Sequence, residues 1–326
     1  TSSSQLISSY PPLLRAPQTP ISDHRLTEED DDSESHPLPV IDFQRTTSQE
    51  IGKACREWGM FRLINHQVPE DLHRQLHRVA AEIFNLSFEE KDGFPTTPVL
   101  YFWGSPAISM AGNANKTEPP FKNKLKLLEG FDVPLRGIAR FHYQDPMLES
   151  FRCLLDEYGA HQTRLAESIF KAMAEDLNIP ETKSSSYLSP ATATLRVYRY
   201  LRRQTAGEKL GIPAHTDSSV ISILHQDQVG GLQVSRNDKW FDVEPVEDTL
   251  IVNLGDMMQG ISNDEYVSVK HRVKLNEENE RISIGYFVFP AEHAVIESSN
   301  YRPFTFSEFH DSKESELKKL GFKIGL

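Results

Sequence analysis

Between residues 191 and 290 the chain repeats one pattern: short apolar runs separated by Gly, Asn, Asp and Pro. The runs are ATATLRVYRYL, VISIL, GLQVS, KWFDVEP, TLIVNLGD, VKHRVKL and RISIGYFVF. Short strands at regular spacing predict an all-β sandwich or barrel. Asn237-Asp238 fits a two-residue hairpin turn within this stretch, and Gly230-Gly231 fits a bend.

The same stretch holds three candidate metal ligands, His215, Asp217 and His271. Side chains at i and i+2 of a strand share a face, so an H-x-D at a strand end aims an imidazole and a carboxylate at one point. His271 comes much later, with enough chain between for several strands to bring it alongside. Two His and one carboxylate form the facial triad of non-haem Fe(II) oxygenases, which leaves three positions for a bidentate 2-oxo acid and dioxygen. A closed zinc site wants four ligands, usually with thiolates; Cys55 and Cys153, in no C-x-x-C spacing, argue against it. An H-x-D alone also serves turns and surface hydrogen bonds, so a second pattern carries weight. Arg281 and Ser283 share one face of the run RISIGYFVF. A guanidinium and a hydroxyl side by side suit a carboxylate. The plain alternative is an outward-facing pair on a half-buried strand.

In HTD, His271 and RIS the chain resembles the plant Fe(II)/2-oxoglutarate-dependent dioxygenases. LPVIDF (38–43), EWGMFRLINHQV (57–68), IFNLSFEEK (83–91), VGGLQV (229–234), LIVNLGDMMQGISNDEYVSVKHRV (250–273) and ERISIGYFVFP (280–290) resemble that family's landmarks in order. HQDQVGGLQV and SNDEYVSVKH look most like gibberellin 2-oxidases, especially those acting on twenty-carbon gibberellins. The resemblance implies an α+β fold with a mainly β core: a double-stranded β-helix, or cupin-like jelly roll, flanked by helices of an N-terminal region. It implies His215, Asp217 and His271 as catalytic iron ligands, and Arg281 and Ser283 on the distal carboxylate of 2-oxoglutarate. Tyr200 matches the family's co-substrate tyrosine, although the usual Asn-Tyr-Tyr-Pro is Tyr198-Arg199-Tyr200-Leu201 here. Implied cofactors are Fe(II), 2-oxoglutarate and O2, with ascorbate as a reductant. The implied activity is oxidation, in the first instance hydroxylation, of a gibberellin-like diterpenoid acid in hormone metabolism. Rival substrates are auxins, flavonoids and other small apolar acids or phenolics. Rival classes are a non-catalytic small-molecule-binding jelly roll and a metal-dependent cupin isomerase or hydrolase, since one fold hosts many functions.

A net charge of −12 argues against nucleic acid or an anionic membrane as partner. Two cysteines make no disulfide framework, and no apolar run reaches the length of a membrane span. The expectation is a monomer in the cytoplasm, with the nucleus as a second location, acting on a small molecule.

Four regions are expected. Residues 1–37, rich in Ser, Pro and acidic side chains, read as a flexible arm. Residues 38–190 read as a helical and mixed region, 191–300 as the jelly-roll core, and 301–326 as a C-terminal helix or lid in which Phe306 and Phe309 are pocket candidates. In the second region Thr47 or Ser48 caps a helix, residues 60–66 form a strand, Pro69–Asn85 form an amphipathic helix, and Asp145 starts a long helix with Pro146 in its first turn. Residues 92–127 read as irregular, where Tyr101, Phe102 and Trp103 line a substrate pocket or fill the core. Met257 and Met258 are further substrate candidates. His66 anchors a turn, and Gln67 stands where the family usually has Gly, so a positive φ there carries strain.

Overall fold

The computed structural model describes residues 8–11, 34–35, 38–104, 127–202 and 209–312. Three of the described helices begin where the sequence supplies a side-chain cap. Helix α1 (Ser48–Glu57) starts at Thr47, whose hydroxyl accepts the Glu50 N–H while the Glu50 carboxylate accepts the Thr47 N–H. Helix α2 (Glu70–Phe84) buries Leu72, Leu76, Val79, Ala80 and Ile83, and Ser87 and Glu90 repeat the capping box at α3 (Phe88–Asp92). The 31-residue α4 (Pro146–Asp176) starts with the Asp145 carboxylate accepting the Met147 and Leu148 N–H groups, both at 2.9 Å. Two short helices follow, α5 (Glu181–Tyr187) and α6 (Asp256–Ile261). No helix among the described residues is long and apolar enough to cross a membrane.

The strands form two main sheets. The larger runs in the order β2 (Val40–Asp42), β3 (Met60–Ile64), β11 (Leu250–Leu254), β8 (Ile221–Gln226), β13 (Arg281–Phe289), β6 (Ser189–Tyr200), β5 (Leu128–Pro134) and β4 (Leu100–Trp103). The smaller runs β1 (Glu34–Ser35), β10 (Lys239–Asp242), β9 (Leu232–Arg236), β12 (His271–Lys274) and β7 (Leu210–His215). A third pair joins β14 (Val295–Ile296) to β15 (Phe304–Thr305). This is the mainly β jelly roll with flanking helices that the sequence suggested. Asn237 and Asp238, both at positive φ, close β9 to β10 as the expected two-residue hairpin.

Alternation along the large sheet sorts its residues into two cores. Leu195, Val197, Ile223, Ile284 and Tyr286 face the helices and pack with Leu76, Ile83, Phe151 and Ile169. On the other face Tyr198, Tyr200, Leu128 and Ile251 pack with Leu232, Val234 and Val273 of the small sheet. The second cluster is the interior of the jelly roll.

Three expectations need correction. The region 92–127 contains the edge strand β4, and β5 begins at its end; residues 105–126 lie outside the described set. Strand β5, LEGFDVP, escaped notice because it carries Glu129 and Asp132 among apolar residues. Its first six residues are all buried, and the two acids are neutralised by Arg199 and Arg196 of β6. Within the arm read as flexible, Ser9 and Tyr10 are 0% and 3% exposed and packed on the core; the acidic run 28–32 lies outside the described residues. Gln67 has φ +62, the left-handed conformation its position suggested, and His66 Nδ1 accepts the Val68 N–H at 3.2 Å, as a turn anchor should.

Four histidines meet between α2 and β8. His73 stacks on His225 with centroids 4.1 Å apart, His77 Nε2 lies 2.7 Å from His225 Nδ1, and His66 flanks His73. Tyr158 of α4 closes the group. Burial pushes His73, His225 and His77 below the ordinary histidine value, to about 2, 3 and 4, with the neighbouring imidazoles adding to the effect. The unfolded chain therefore binds protons that the folded chain refuses from pH about 6.5 down to about 4 for His77, about 3 for His225 and about 2 for His73. Stability is full above that window and falls with pH through it, by at most about 1.4 kcal/mol per pH unit per histidine. Urea unfolding at pH 7.5 and 5.5 measures this, and His73→Leu is expected to shrink the difference between the two pH values.

Candidate active site

Strands β7 and β12 pair antiparallel, and their register places His215 directly opposite His271. Asp217 lies two residues beyond the end of β7. Each histidine directs Nδ1 at a backbone carbonyl, His215 at Pro213 (2.8 Å) and His271 at Val269 (3.2 Å). A carbonyl only accepts, so Nδ1 carries the proton and Nε2 the lone pair. Both Nε2 atoms lie 3.7 Å from Asp217 Oδ1. One ligand atom from each of the three residues lies within 4.8 Å of the other two, the spacing of donors around one cation. Two imidazoles and one carboxylate on one side of a point fit Fe(II) with exchangeable positions opposite.

The other oxygen of Asp217 is tied down. Oδ2 accepts from Ser222 Oγ and Asn253 Nδ2, both at 2.7 Å. Ser222 of β8 and Asn253 of β11 are cross-strand partners, so one rung of the large sheet supplies both donors. Ser219 Oγ lies 2.8 Å from Ser222 Oγ and extends the chain of hydroxyls. With Oδ2 held this way, Asp217 presents Oδ1 as a monodentate donor.

Arg281 opens β13 and is 2% exposed. Its Nη1 donates to Ser283 Oγ (3.1 Å) and its Nη2 to Gln226 Oε1 (2.9 Å). Its guanidinium carbon stands 4.8 Å from the Tyr200 ring centre, while Nε is buried with no hydrogen-bond partner among the described residues. Tyr200 is the cross-strand neighbour of Arg281, and Gln226 that of Ser283. Burial raises the Tyr200 hydroxyl above its ordinary value, and the nearby Arg281 and Ser283 oppose that rise. No carboxylate of the described residues forms an ion pair with Arg281. An arginine buried among neutral partners costs several kcal/mol unless an anion completes it. The donor set fits a carboxylate.

Two family models match the chain: the 2OG-Fe(II) oxygenase superfamily over residues 192–290, and the non-haem dioxygenase in morphine synthesis N-terminal model over residues 38–135. Gibberellin 2-beta-dioxygenase 6 of Oryza sativa subsp. japonica is 34% identical over 310 residues, 89% of this chain and 84% of that protein. The chain belongs to the 2OG-Fe(II) oxygenase superfamily. Gibberellin 2-beta-dioxygenase 8 of Arabidopsis thaliana is 32% identical over 304 residues, 89% of this chain and 86% of that one. The crystal structure of JOX2 in complex with 2OG, Fe and JA superposes with a TM-score of 0.71 at 26% identity, covering 86% of each chain. This protein is accordingly a 2-oxoglutarate-dependent dioxygenase that uses Fe(II) and 2-oxoglutarate.

Most of the substrate candidates lie away from the interior of this dioxygenase. Tyr101 faces the helices and donates its hydroxyl to Glu129 at 2.5 Å. Met257 and Met258 are fully buried in the same helix-side core, which Phe306 and Phe309 also join; the Phe306 ring lies tilted against Phe289 with centroids 4.8 Å apart. Strand alternation and the direction of α6 decide this, and neither was legible locally. Phe102 and Trp103 do pack on the interior cluster, Phe102 against Tyr198. Residues that sequence reasoning missed are Ser222, Asn253 and Gln226. Nothing local marks them, because each reaches the site through sheet register.

If Ser222 and Asn253 orient the iron carboxylate, Ser222→Ala and Asn253→Ala each weaken metal binding by about 10- to 100-fold. Anaerobic titration with Fe(II) or Co(II) reads the change directly, and thermal denaturation of the metal-free variants separates it from unfolding.

Proposed function

We propose that this dioxygenase hydroxylates a gibberellin-like diterpenoid acid, with His215, Asp217 and His271 holding Fe(II) and with Arg281, Ser283 and Tyr200 holding the distal carboxylate of 2-oxoglutarate. The observation that carries the co-substrate site is the buried Arg281, whose hydrogen-bond partners among the described residues are a neutral hydroxyl and a neutral amide. The substrate class rests on the similarity to gibberellin 2-beta-dioxygenases over most of both chains.

When bound, iron with 2-oxoglutarate supplies the oxidant from dioxygen for an unactivated C–H bond, and the co-substrate leaves as succinate and carbon dioxide. The chain's own residues do the rest. Nδ1–H bonds to the Pro213 and Val269 carbonyls lock both imidazoles in the ligating tautomer. Ser222 and Asn253 hold Asp217 to one donor oxygen. Arg281, fixed by Gln226 and Ser283, presents a charge that needs no reorganisation when the dicarboxylate arrives. The aromatic and aliphatic interior around Tyr198, Phe102 and Leu232 keeps water from the reacting centre.

A second reading is a dioxygenase for another small apolar acid; the JOX2 structure, with JA bound, shares the fold at 26% identity. The deciding experiment loads the protein anaerobically with Fe(II), 2-oxoglutarate and one candidate acid, admits air, and measures succinate and products by mass spectrometry. One oxygen gained by a gibberellin, matched by succinate, is the expected result. Succinate coupled to a jasmonate, auxin or phenolic product instead would replace the substrate and keep the class. Asp217→Ala is expected to abolish turnover. Arg281→Lys is expected to raise the 2-oxoglutarate Kd by roughly tenfold or more, because an ammonium cannot reproduce the fork. An unchanged Kd in that variant would falsify the role of Arg281.

A further inference from the structure

Behind the Arg281–Tyr200 pair, on the helix-facing side of the same strands, lies a buried cluster of charges. Glu129 of β5 accepts from Arg199 Nε (2.6 Å), Lys91 Nζ (2.8 Å) and the Tyr101 hydroxyl (2.5 Å). Arg199 Nη1 reaches Glu280 at 3.4 Å. Lys91 and Glu129 are fully buried and Arg199 is 2% exposed. The N-terminal segment seals the cluster. The Ser9 carbonyl accepts from Lys91 Nζ (2.9 Å), Ser9 Oγ accepts from Arg199 Nη2 (3.1 Å), and the Tyr10 hydroxyl donates to Glu280 Oε1 (2.5 Å). The Tyr10 ring also lies 5.8 Å from the Arg199 guanidinium carbon. Two cations and two carboxylates balance in charge, and every one of them has a partner of opposite sign.

The position of this cluster matters more than its strength. Tyr200 is the last residue of β6 and Arg281 the first of β13, so their pairing is the terminal rung of that ladder. Terminal rungs open first unless something ties them. Arg199 and Glu280 are the chain neighbours of Tyr200 and Arg281. Arg199 pairs in register with Glu129 and with Ile282, so the ion cluster crosses β5, β6 and the approach to β13 at that rung. Tyr101 extends it to β4. Alternation sends Arg199 outward and Tyr200 inward from adjacent positions.

We propose that the Lys91–Glu129–Arg199–Glu280 cluster, sealed by Ser9 and Tyr10, is a positioning device that holds the Tyr200–Arg281 rung in register for the co-substrate carboxylate. The N-terminal segment thereby acts on 2-oxoglutarate binding without touching it. The proposal rests on the assignment of Arg281 to that carboxylate.

The test compares full-length wild type, Tyr10→Phe, Glu280→Gln, the double variant, Arg281→Lys and a core control, Val79→Ala, which removes buried volume on α2. The readouts are the 2-oxoglutarate Kd of the anaerobic Fe(II) protein, kcat at saturating 2-oxoglutarate, the metal Kd and Tm. Tyr10→Phe and Glu280→Gln are each expected to raise the 2-oxoglutarate Kd by about threefold to tenfold, with kcat and metal Kd unchanged. Because both weaken the same Tyr10–Glu280 contact, one by removing the donor and the other by removing the acceptor's charge, the double variant is expected to be no worse than the more affected single one. Val79→Ala lowers Tm and leaves the 2-oxoglutarate Kd as it was. An unchanged Kd in Tyr10→Phe and Glu280→Gln, or an equal rise in Val79→Ala, overturns the proposal. If Arg281→Lys also binds 2-oxoglutarate normally, the assignment of Arg281 fails first, and the two failures are told apart.

Discussion

The ladder between β6 and β13 sets where everything else stands. Its register pairs Tyr200 with Arg281 and Tyr198 with Ser283, and it pairs Val197 with Ile284 and Leu195 with Tyr286 between them. The first set faces the jelly-roll interior and the second faces the helices. A slip of one residue would exchange the two sets, placing the guanidinium in the helix-side core and the aliphatic side chains in the interior. The same strand, paired on its other edge to β8, brings Gln226 opposite Ser283 and so completes the cradle of Arg281.

Two buried arginines near the end of this ladder differ in how the fold answers their charge. Arg199 has Glu129 and Glu280 as partners and is neutralised within the fold. Arg281 has a hydroxyl, an amide and an aromatic face. Breaking a completed buried pair costs the fold, whereas an incomplete one stores an attraction for a ligand. The iron side follows a similar logic. Asp217 has one oxygen saturated by Ser222 and Asn253, so the direction of the other is set before any metal binds.

Much of this was legible along the chain. The capping residue Thr47 and Asp145 with Pro146 marked helix starts, and the apolar spacing of α2 and α4 marked their buried stripes. The triad and Arg281–Ser283 stood out because H-x-D and R-x-S place chemistry at the two-residue period of a strand. Strand β5 did not, since Glu129 and Asp132 break its apolar run and are tolerated only through Arg199 and Arg196 on the neighbouring strand. Ser9 and Tyr10 looked like part of a polar arm because the charges that receive them lie about 80, 190 and 270 residues away. Tyr101, Met257, Met258 and Phe306 looked like pocket residues by type, and packing put all four on the helix side.

By itself, then, the sequence determined the kinds of element, the family and the residues with unusual chemistry, because caps, turns and periodicity act over a few neighbouring positions. Only the tertiary structure decided which face each side chain occupies and which partner it meets. Register is a relation between segments far apart in the chain. It alone put His215 opposite His271, gave Asp217 its two donors from one rung, and left Arg281 buried with no ion pair to a carboxylate of the described residues.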